Sequence, residues 1–414
     1  FLKNQLNLDE EYIYKANGIL DLTVFFALGG IVDRPELCDA PMPPLPVPEF
    51  VDKDMYEVIK QGDVLVHHPY QSFDCVVNFV KNSAVDPKVL AIKQTLYRVS
   101  GNSPIIKALI DAAENGKQVT VLVELKARFD EENNLATAEL MRKAGIHIIF
   151  SIPGLKVHAK VALVLRYNKQ GEQIRSYAYV STGNFNEKTA KIYSDIALYT
   201  CNKTIVEDMH HLFRVLQKEE EEPQFHRLLI ARFNLLPELK KRIHREIALA
   251  KKGKKGRIVL KMNALQDIAM IDELYRASEA GVEIDLIVRG ICCLVPGEEF
   301  SRNIRITRIV DSFLEHARVW YFGNDGNPLV YMGSPDWMRR NLYRRIEAVT
   351  PVLDKDLKQE LIDMLRIQLN ANWKACWVDS QLNNRFKRNP DEPKRRAQYD
   401  FYQYLKNKLP KRSR

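Results

Sequence analysis

Residues 109–123 read LIDAAENGKQVTVLV, and residues 274–288 read LYRASEAGVEIDLIV. In both stretches a helical pattern ends at a glycine, Gly116 or Gly281, and a run typical of a buried strand follows. Glycine is common at this position because it adopts a left-handed backbone conformation without steric cost. A helix–strand unit that occurs twice at this likeness indicates a duplicated domain.

Two further landmarks flank both copies in the same order. Ile92-Lys-Gln-Thr-Leu precedes the first copy, as Leu260-Lys-Met-Asn-Ala precedes the second. Lys156-Val-His-Ala-Lys follows the first copy, as Leu314-Glu-His-Ala-Arg follows the second. The pattern around the first copy predicts strands at 89–93, 119–125 and 146–152, with helices at 105–115 and 135–144. This alternation predicts an α/β fold with a largely parallel sheet, present in two copies.

Proline and charge interrupt the chain and divide it into three predicted regions. The first, 1–45, is expected to be helical over 1–36 and to end in an extended, proline-rich linker. The second, 46–222, is the first catalytic α/β domain, and it ends at a run of four glutamates and a proline. The third, 223–414, is the second catalytic α/β domain with a basic tail.

Composition narrows the class of protein. The 414 residues are 46% hydrophobic and 28% charged, an ordinary globular mixture that excludes wholesale disorder. Lys and Arg exceed Asp and Glu by 62 to 53, and a charge of +9 favours an anionic partner such as nucleic acid, lipid or a phosphate-rich substrate. No apolar run approaches the roughly 18–20 residues of a membrane span, and residues 20–30 are predicted as a buried helix.

Six cysteines in a chain of this length form neither a disulfide framework nor a metal-ligand spacing. A reducing cytoplasm is therefore the expected compartment. The chain opens with Phe1 and not with methionine, so we expect it to be a piece of a longer polypeptide.

Each copy carries a histidine two residues before a cation, as His158 before Lys160 and His316 before Arg318. Positions i and i+2 of a strand face the same side, so Lys156, His158 and Lys160 are expected to project together. An imidazole beside fixed cations is suited to attack an anionic phosphate or to donate a proton to it. A lone histidine is more often a core side chain, but recurrence in both copies favours a functional site.

Small polar segments and arginines are further candidate phosphate-binding groups beside the two histidine–cation pairs. Ser181–Asn186 and Gly333–Trp337 follow the histidines, and their backbone amides could approach a phosphate, although each alone is more often an ordinary turn. Three arginines follow strand-like segments, at the sheet edge where open α/β sheets bind ligands: Arg98, Arg128 and Arg289. Guanidinium groups bind phosphate oxygens bidentately, although a solvated surface role is equally probable for each arginine alone.

With these motifs in place, the sequence resembles bacterial polyphosphate kinase of the long, histidine-phosphorylated type, from about Pro46 to about Asn372. The motifs that carry the resemblance lie at 67–73, 90–98, 123–131, 155–160, 181–193, 285–294 and 313–318. More distantly, the duplicated pattern is similar to the phospholipase D superfamily. Leu165 stands where that superfamily has an acid, and Arg318 replaces its second lysine.

The resemblance implies two phospholipase D-like α/β domains, preceded by the end of a helical domain. It also implies reversible transfer of the terminal phosphate of ATP to polyphosphate, with Mg²⁺, through a phosphohistidine. By position, His158 matches the nucleophile and His316 the second histidine, which assists proton transfer and nucleotide binding. The other residues expected to bind ATP or polyphosphate are Tyr193, Arg289, Arg98, Arg128, Lys160, Arg318 and Arg345.

The family associates the positions of Arg98 and Arg128 with magnesium. A guanidinium cannot ligate a cation, so we expect both arginines to hold phosphate oxygens beside the metal. The expected partners are ATP, ADP and inorganic polyphosphate, and no nucleic acid is expected. The expected location is the cytoplasm, with peripheral attachment to a membrane left open, and the full-length protein is expected to be a homo-oligomer.

Two other hypotheses use the same residues. The first is a phospholipase D-like phosphodiesterase that acts on lipid or nucleic acid through the paired histidines. The second is a non-catalytic polyanion-binding module, which would use the net charge and the basic, aromatic tail after Arg385. A kinase passes phosphate to ADP or polymer, whereas a diesterase passes it to water or an alcohol. Binding by a module survives loss of both histidines and falls steeply with salt.

Overall fold

The structure is a computed structural model that describes residues 1–6, 8–32, 34–97, 103–124, 131–150, 155–168 and 173–410. Contacts between Cα atoms divide the chain into two compact units, residues 1–41 and residues 42–414. The candidate site lies within the second unit.

The first unit holds only short helical segments. They are α1 (Leu2–Leu6), α2 (Leu28–Ile31) and 3₁₀ turns at Glu10–Tyr12, Thr23–Ala27 and Pro35–Leu37. The prediction of helix over 1–36 holds for these segments alone, and the predicted buried helix at 20–30 is wrong, since Val24 and Phe25 are each 61% exposed. Short helices in water need a packed apolar face, which the exposed residues described here do not provide.

The described residues of the second unit form two large sheets. The strands of its first half are β1 (Val64–His68), β2 (Val89–Leu96), β3 (Gln118–Val123), β4 (His147–Phe150), β5 (Lys156–Val157), β6 (Lys160–Tyr167), β7 (Ile174–Ser181) and β8 (Tyr193–Thr200). Those of its second half are β9 (Leu229–Ile230), β10 (Arg257–Met262), β11 (Glu283–Val288), β12 (Ile304–Ile309), β13 (Leu314–Glu315), β14 (Val319–Phe322), β15 (Leu329–Gly333), β16 (Arg345–Ile346), β17 (Ala348–Pro351), β18 (Ala375–Trp377) and β19 (Arg385–Phe386).

Helices cover both sheets. They are α3 (Met55–Gln61), α4 (Asp74–Val85), α5 (Pro104–Glu114), α6 (Glu131–Lys143), α7 (Lys203–Leu216), α8 (Leu235–Ala250), α9 (Ile268–Glu279), α10 (Arg339–Arg344), α11 (Lys355–Asn370) and α12 (Ala397–Asn407). Further 3₁₀ turns lie at Thr189–Lys191, Glu299–Ser301 and Asn324–Gly326.

Both sheets have the same strand order. The first runs β1-β8-β7-β6-β2-β3-β4, and the second runs β9-β17-β15-β14-β10-β11-β12, extended by β18 and β19. Three strands of each sheet are parallel, namely β2, β3 and β4 in the first and β10, β11 and β12 in the second. β6 then pairs antiparallel with β2, as β14 does with β10. The predicted duplicated α/β fold is therefore confirmed. The prediction of a largely parallel sheet is wrong, because strands such as β7 and β8, or β14 and β15, follow one another without a crossover α-helix and pair antiparallel.

The repeated helix–strand unit follows from its local sequence. Ser103 and Asp267 cap α5 and α9 by accepting hydrogen bonds from backbone N–H groups of the first turn. Gly116 and Gly281 follow those helices with φ of +78° and +92°, which a side chain would oppose. The chain then enters β3 or β11, whose inner residues are almost fully buried.

The two halves of the second unit share their apolar cores. One cluster packs Leu198 of β8 with Val259 of β10, Leu361 of α11 and Phe401 of α12. Another packs Leu163 of β6 with residues of α7 and β17. The predicted boundaries at 45/46 and 222/223 stay a prediction, and the shared cores explain why contacts alone do not separate the halves.

Candidate active site

The first histidine lies where the predicted strand is interrupted. β5 ends at Val157 and β6 begins at Lys160, so His158 is not in regular strand pairing. Its backbone N–H donates to the carbonyl of Ile346 at 2.9 Å, because β5 pairs parallel with β16 of the other half. This pairing brings Nδ1 of His158 to 2.9 Å from a carboxylate oxygen of Glu347.

The charge states of this pair follow from burial and attraction. Burial lowers the pKa of His158 to about 3, helped by Lys160 and opposed by Glu347. Burial raises the pKa of Glu347, but the attraction and hydrogen bond of His158, with Lys160 and Ser334, outweigh it and lower that pKa to about 2. At neutral pH the carboxylate is thus ionised and can only accept, so Nδ1 of a neutral His158 carries the hydrogen and Nε2 carries a lone pair.

Aromatic and basic side chains surround the first histidine. The ring of Tyr97 meets the imidazole edge-on, with centroids 4.9 Å apart. The Nζ atoms of Lys156 and Lys160 lie 5.4 and 5.2 Å from the centre of the Tyr97 ring. Lys160 is buried and donates to the carbonyl oxygen of His158, not to its ring. Within the part of the chain that the structure describes, the one hydrogen bond of the His158 ring is that of Nδ1.

The second histidine has a matching environment with the halves exchanged. β13 pairs parallel with β8, so His316 lies next to the first half, and its Nδ1 is 2.8 and 2.9 Å from the two carboxylate oxygens of Asp195. Burial and Arg318 lower the pKa of His316, opposed by Asp195. Burial raises the pKa of Asp195, but His316 and Thr182 reverse the shift. Nδ1 therefore donates here too.

Arg318 makes the two centres different. Its Nη1 lies 3.2 Å from Nε2 of His316 and donates to the His316 carbonyl at 2.7 Å. Its Nη2 donates to Asp336 at 3.0 Å, and both side chains are almost fully buried. A guanidinium has donors only, so Nε2 of His316 must accept. The lone pair of this histidine is therefore occupied, whereas that of His158 is not bonded by any described residue.

Each acid also accepts a hydroxyl hydrogen bond from its own half. Thr182, which follows β7, donates to Asp195 at 2.5 Å. Ser334, which follows β15, donates to Glu347. A Cβ at Gly183 would collide with the Asp195 carboxylate, so the close approach of this loop requires glycine. The small polar segments that the sequence analysis identified thus hold the carboxylates of Asp195 and Glu347 in place.

The remaining predicted residues divide between the two centres. The ring of Tyr193 packs against His316 in a tilted arrangement, with ring centroids 5.1 Å apart and an interplanar angle of 56°. Arg289 follows β11 and donates from Nε to Asn263 at 3.0 Å and to the carbonyl of Glu315 at 3.1 Å, which places it at the second centre. Arg345 begins β16, and its Nη1 lies 3.9 Å from Glu347 at the first centre.

The predicted residues Arg98 and Arg128 lie outside the described residues. Among the described residues no group of three or more His, Cys, Asp or Glu side chains could hold a metal ion. Proteins bind Mg²⁺ through one or two carboxylates together with substrate phosphates and water. Asp195 and Glu347 already accept hydrogen bonds from the imidazoles, so these two acids do not fit a protein-held magnesium site.

Sequence reasoning missed the acids. Asp195 and Glu347 lie 121 and 189 residues from the histidines that they bind. A usable signal was nevertheless present, because each acid stands two residues after a predicted site residue, Tyr193 or Arg345. The strand pairing shows these two positions to be equivalent, since each pairs with the residue two before a histidine.

Fold and site together define a class of duplicated α/β proteins in which each half supplies the carboxylate that binds the other half's histidine. Family models described as "Polyphosphate kinase C-terminal domain 1" and "Polyphosphate kinase C-terminal domain 2" match residues 54–222 and 228–398. The chain belongs to the polyphosphate kinase family, as the motifs predicted.

Individual relatives agree. Polyphosphate kinase from Synechocystis is 47% identical over 412 residues, which cover 95% of this chain and 56% of that protein. The crystal structure of polyphosphate kinase from Porphyromonas gingivalis is 48% identical with a TM-score of 0.86, and it covers 99% of this chain and 62% of that chain. A phospholipase D family member, Nuc from Salmonella typhimurium, is a distant match at 18% identity and a TM-score of 0.30, over 38% of this chain and 92% of that chain.

The chain spans little more than half the length of the curated relatives that it matches. None of the helices in its described part is both long and apolar enough to cross a membrane.

Proposed function

We propose that this chain carries the phosphotransferase centre of a polyphosphate kinase, which transfers the terminal phosphate of ATP to polyphosphate through a phosphohistidine on His158. One observation carries the proposal. Both histidines donate from Nδ1 to an ionised carboxylate, but only His316 has its Nε2 lone pair bonded by a described cation, Arg318. His158 therefore keeps a lone pair for attack.

In the first half-reaction, Nε2 of His158 attacks the terminal phosphorus of ATP. The N–P bond forms while the bond from phosphorus to the bridging oxygen breaks, and ADP leaves with that electron pair. The imidazole becomes positively charged, and the Glu347 carboxylate, 2.9 Å from Nδ1, stabilises that charge. No proton has to leave His158, because Nδ1 holds its hydrogen throughout.

In the second half-reaction, a terminal oxygen of polyphosphate attacks the phosphorus on His158. The new P–O bond forms as the N–P bond breaks, the electron pair returns to Nε2, and the polymer is one phosphate longer. The reverse sequence returns phosphate to ADP. A covalent intermediate lets one site serve nucleotide and polymer in turn.

Nearby basic groups would bind the phosphates during both steps. Burial lowers the pKa of Lys160, and an entering phosphate would favour its protonated form. Arg345 lies at the same centre. At the second centre, we propose that Tyr193 and Arg289 contact the nucleotide and that His316 assists proton transfer. Mg²⁺ enters this proposal as part of the ATP substrate, with Arg98 and Arg128 on phosphate oxygens, and the use of ATP fits a cytoplasmic location.

The test is phosphate labelling of this chain with end-labelled radioactive polyphosphate and Mg²⁺. The expected product is acid-labile, base-stable label on the protein. Label should be absent from His158→Ala and present on His316→Ala, at a reduced rate. His211→Ala is the matched control, because its Nδ1 also lies 2.9 Å from a glutamate, Glu220, but outside the site.

Other outcomes contradict the proposal in different ways. Label that survives in His158→Ala but is lost in His316→Ala would assign the nucleophile to the second centre. Cleavage of a phosphodiester without protein label would favour the phospholipase D-like alternative. Salt-sensitive polyphosphate binding without label, unchanged when both histidines are replaced, would favour the binding module.

A further inference from the structure

A cavity of about 760 Å³ lies in the second half, away from both histidines. We call it the basic cavity, because its lining includes five basic side chains: Arg257, Arg305, Arg366, Lys387 and Arg395. Two carboxylates, Asp285 and Glu392, also line it. Basic side chains thus outnumber carboxylates in the lining by three, while Asp363 and Glu283, just outside it, lie 3.1 Å from Arg366 and 3.9 Å from Arg257.

The floor of the basic cavity is a pair of guanidinium groups on the two strands that flank β11, the strand of Asp285. Arg305 on β12 donates to Asp285 from Nε at 2.7 Å and from Nη2 at 3.1 Å. Arg257 on β10 donates to the same carboxylate. Burial raises the pKa of Asp285, but the hydrogen bonds from both arginines outweigh it and lower that pKa. The ionised carboxylate thus holds two guanidinium groups side by side, while Arg305 remains 59% exposed.

One wall of the basic cavity comes from the basic tail after Arg385, through Lys387 and Arg395. Lys387 donates to the carbonyl of Leu369 at 2.6 Å, and its Nζ lies 4.2 Å from the centre of the Trp377 ring. Arg395 donates to the carbonyl of Asn370 at 2.8 Å, so both residues are anchored at the end of α11. Fixed cations beside an indole offer one surface for phosphate and another for a flat or apolar group.

We propose that the basic cavity binds a small ligand that carries two or more phosphate groups. Fixed guanidinium groups match phosphate oxygens bidentately, and the excess of cations favours a ligand with several negative charges. Oligophosphate and nucleoside diphosphate share this chemistry, and the apolar wall of Trp377, Tyr321 and Leu365 gives the nucleoside an additional contact.

This site is separate from the histidine centres. Arg257 begins β10, whereas Lys261, four residues along the same strand, pairs with Glu315 beside His316. Four residues of strand span about 13 Å. The inference therefore does not rest on the proposed phosphotransfer, and a His158→Ala chain should bind the ligand at this cavity unchanged.

The experiment uses Trp377, which lines the basic cavity, as a spectroscopic probe of ligand binding. The chain is labelled with 5-fluorotryptophan, and comparison with Trp377→Phe assigns the Trp377 resonance in the ¹⁹F spectrum. Tripolyphosphate, ADP and adenosine are titrated at 0.15 M salt. The resonance should shift saturably with tripolyphosphate, with ADP or with both, and adenosine should have little effect. The ratio of the two dissociation constants distinguishes an oligophosphate site from a nucleotide site.

Matched variants test the cations. Arg305→Ala with Arg366→Ala removes two cavity arginines that are more than half exposed, so folding should be preserved. The control is Arg142→Ala with Arg276→Ala, because each of these side chains is 65% exposed on a helix outside the cavity. Each also has an acid three residues before it, a glutamate here and an aspartate before Arg366.

We expect the cavity variant to bind at least tenfold more weakly and the control variant to bind normally. A Trp377 resonance that does not move with millimolar tripolyphosphate or ADP would overturn the inference. Equal weakening in both variants would also overturn it, because that result would show a general effect of net charge.

Discussion

The two histidine centres have the same frame and different cations. In both, a histidine from one half donates through Nδ1 to a buried carboxylate from the other half, and a hydroxyl group fixes that carboxylate. The cation two residues after the histidine differs. Lys160 donates to the histidine carbonyl alone, whereas Arg318 also reaches the ring nitrogen Nε2.

A second difference accompanies the first. Asp336 stands two residues after Ser334 and forms an ion pair with Arg318. The matching residue of the first half, two places after Thr182, is Asn184. A carboxylate thus stands where the cation is a guanidinium, and a neutral amide stands where it is a lysine. Duplication thus kept the geometry that orients both imidazoles and changed the cation beside them. Under the proposed function, that exchange of cation is what would separate the nucleophile from the assisting histidine.

The largest expected effect comes from removing the charge of one acid. Glu347→Gln keeps the size of the side chain but removes the negative charge that stabilises a charged His158. The labelling rate of His158 should fall by about 10⁴-fold, as when an acid that orients a catalytic histidine becomes an amide. Asp195→Asn acts on the other centre and should cost about tenfold, near 1.4 kcal/mol of activation free energy.

Single-turnover labelling with polyphosphate measures both rates. Glu220→Gln, which changes the partner of His211 outside the site, is the control and should label normally. Equal losses for Glu347→Gln and Asp195→Asn would mean that the two centres are not functionally distinct.

A smaller effect is expected from exchanging the cations. Lys160→Arg should bring a guanidinium donor to Nε2 of His158, as Arg318 does at His316. A hydrogen bond to a charged group contributes about 1.5–3 kcal/mol, so labelling should slow by roughly ten- to a hundredfold. The reverse exchange, Arg318→Lys, should uncover His316. In a His158→Ala background it should then give weak acid-labile label, and complete absence of that label would show that the cation does not decide the nucleophile.

Sequence alone could predict the duplication but not the exchange between halves. Gly116 and Gly281 aligned the two copies because helix ends and strands are local features, and the common strand order confirms them. Asp195 and Glu347 could not be paired with their histidines, since that pairing depends on how β5 and β13 cross into the opposite half. The short helical segments at the start of the chain show the converse, because local helical spacing fails where no apolar face is packed.

The pH dependence of stability offers a more modest effect. The pKa of His158 in the folded chain is about 3, below the ordinary value near 6.5 that applies when the chain unfolds. As pH falls below about 6.5, the unfolded chain binds a proton that the folded chain does not, so the free energy of unfolding decreases. Between pH 6.5 and 5 this group alone should remove roughly 1–2 kcal/mol, because the unfolded histidine is already half protonated at pH 6.5.

The measurement is urea unfolding at several pH values for the unchanged chain and for His158→Gln. The variant should show a shallower slope, by up to one proton, even though its stability at pH 7 also changes. His316→Gln should shift the slope in the same direction, because burial lowers the pKa of that histidine too. An unchanged slope in His158→Gln would mean that His158 is protonated in the folded chain.

The smallest expected effect tests whether the hydroxyl groups act through the acids. Ser334→Ala and Thr182→Val each remove one hydrogen bond to a buried carboxylate, and each should cost about 1 kcal/mol of unfolding free energy. Their effects on labelling should differ, because Ser334 fixes Glu347 whereas Thr182 fixes Asp195. Ser334→Ala should slow labelling of His158 severalfold, while Thr182→Val should leave it nearly unchanged. Equal slowing by both would show that stability alone controls the rate, since the two substitutions remove equivalent contacts from the two halves.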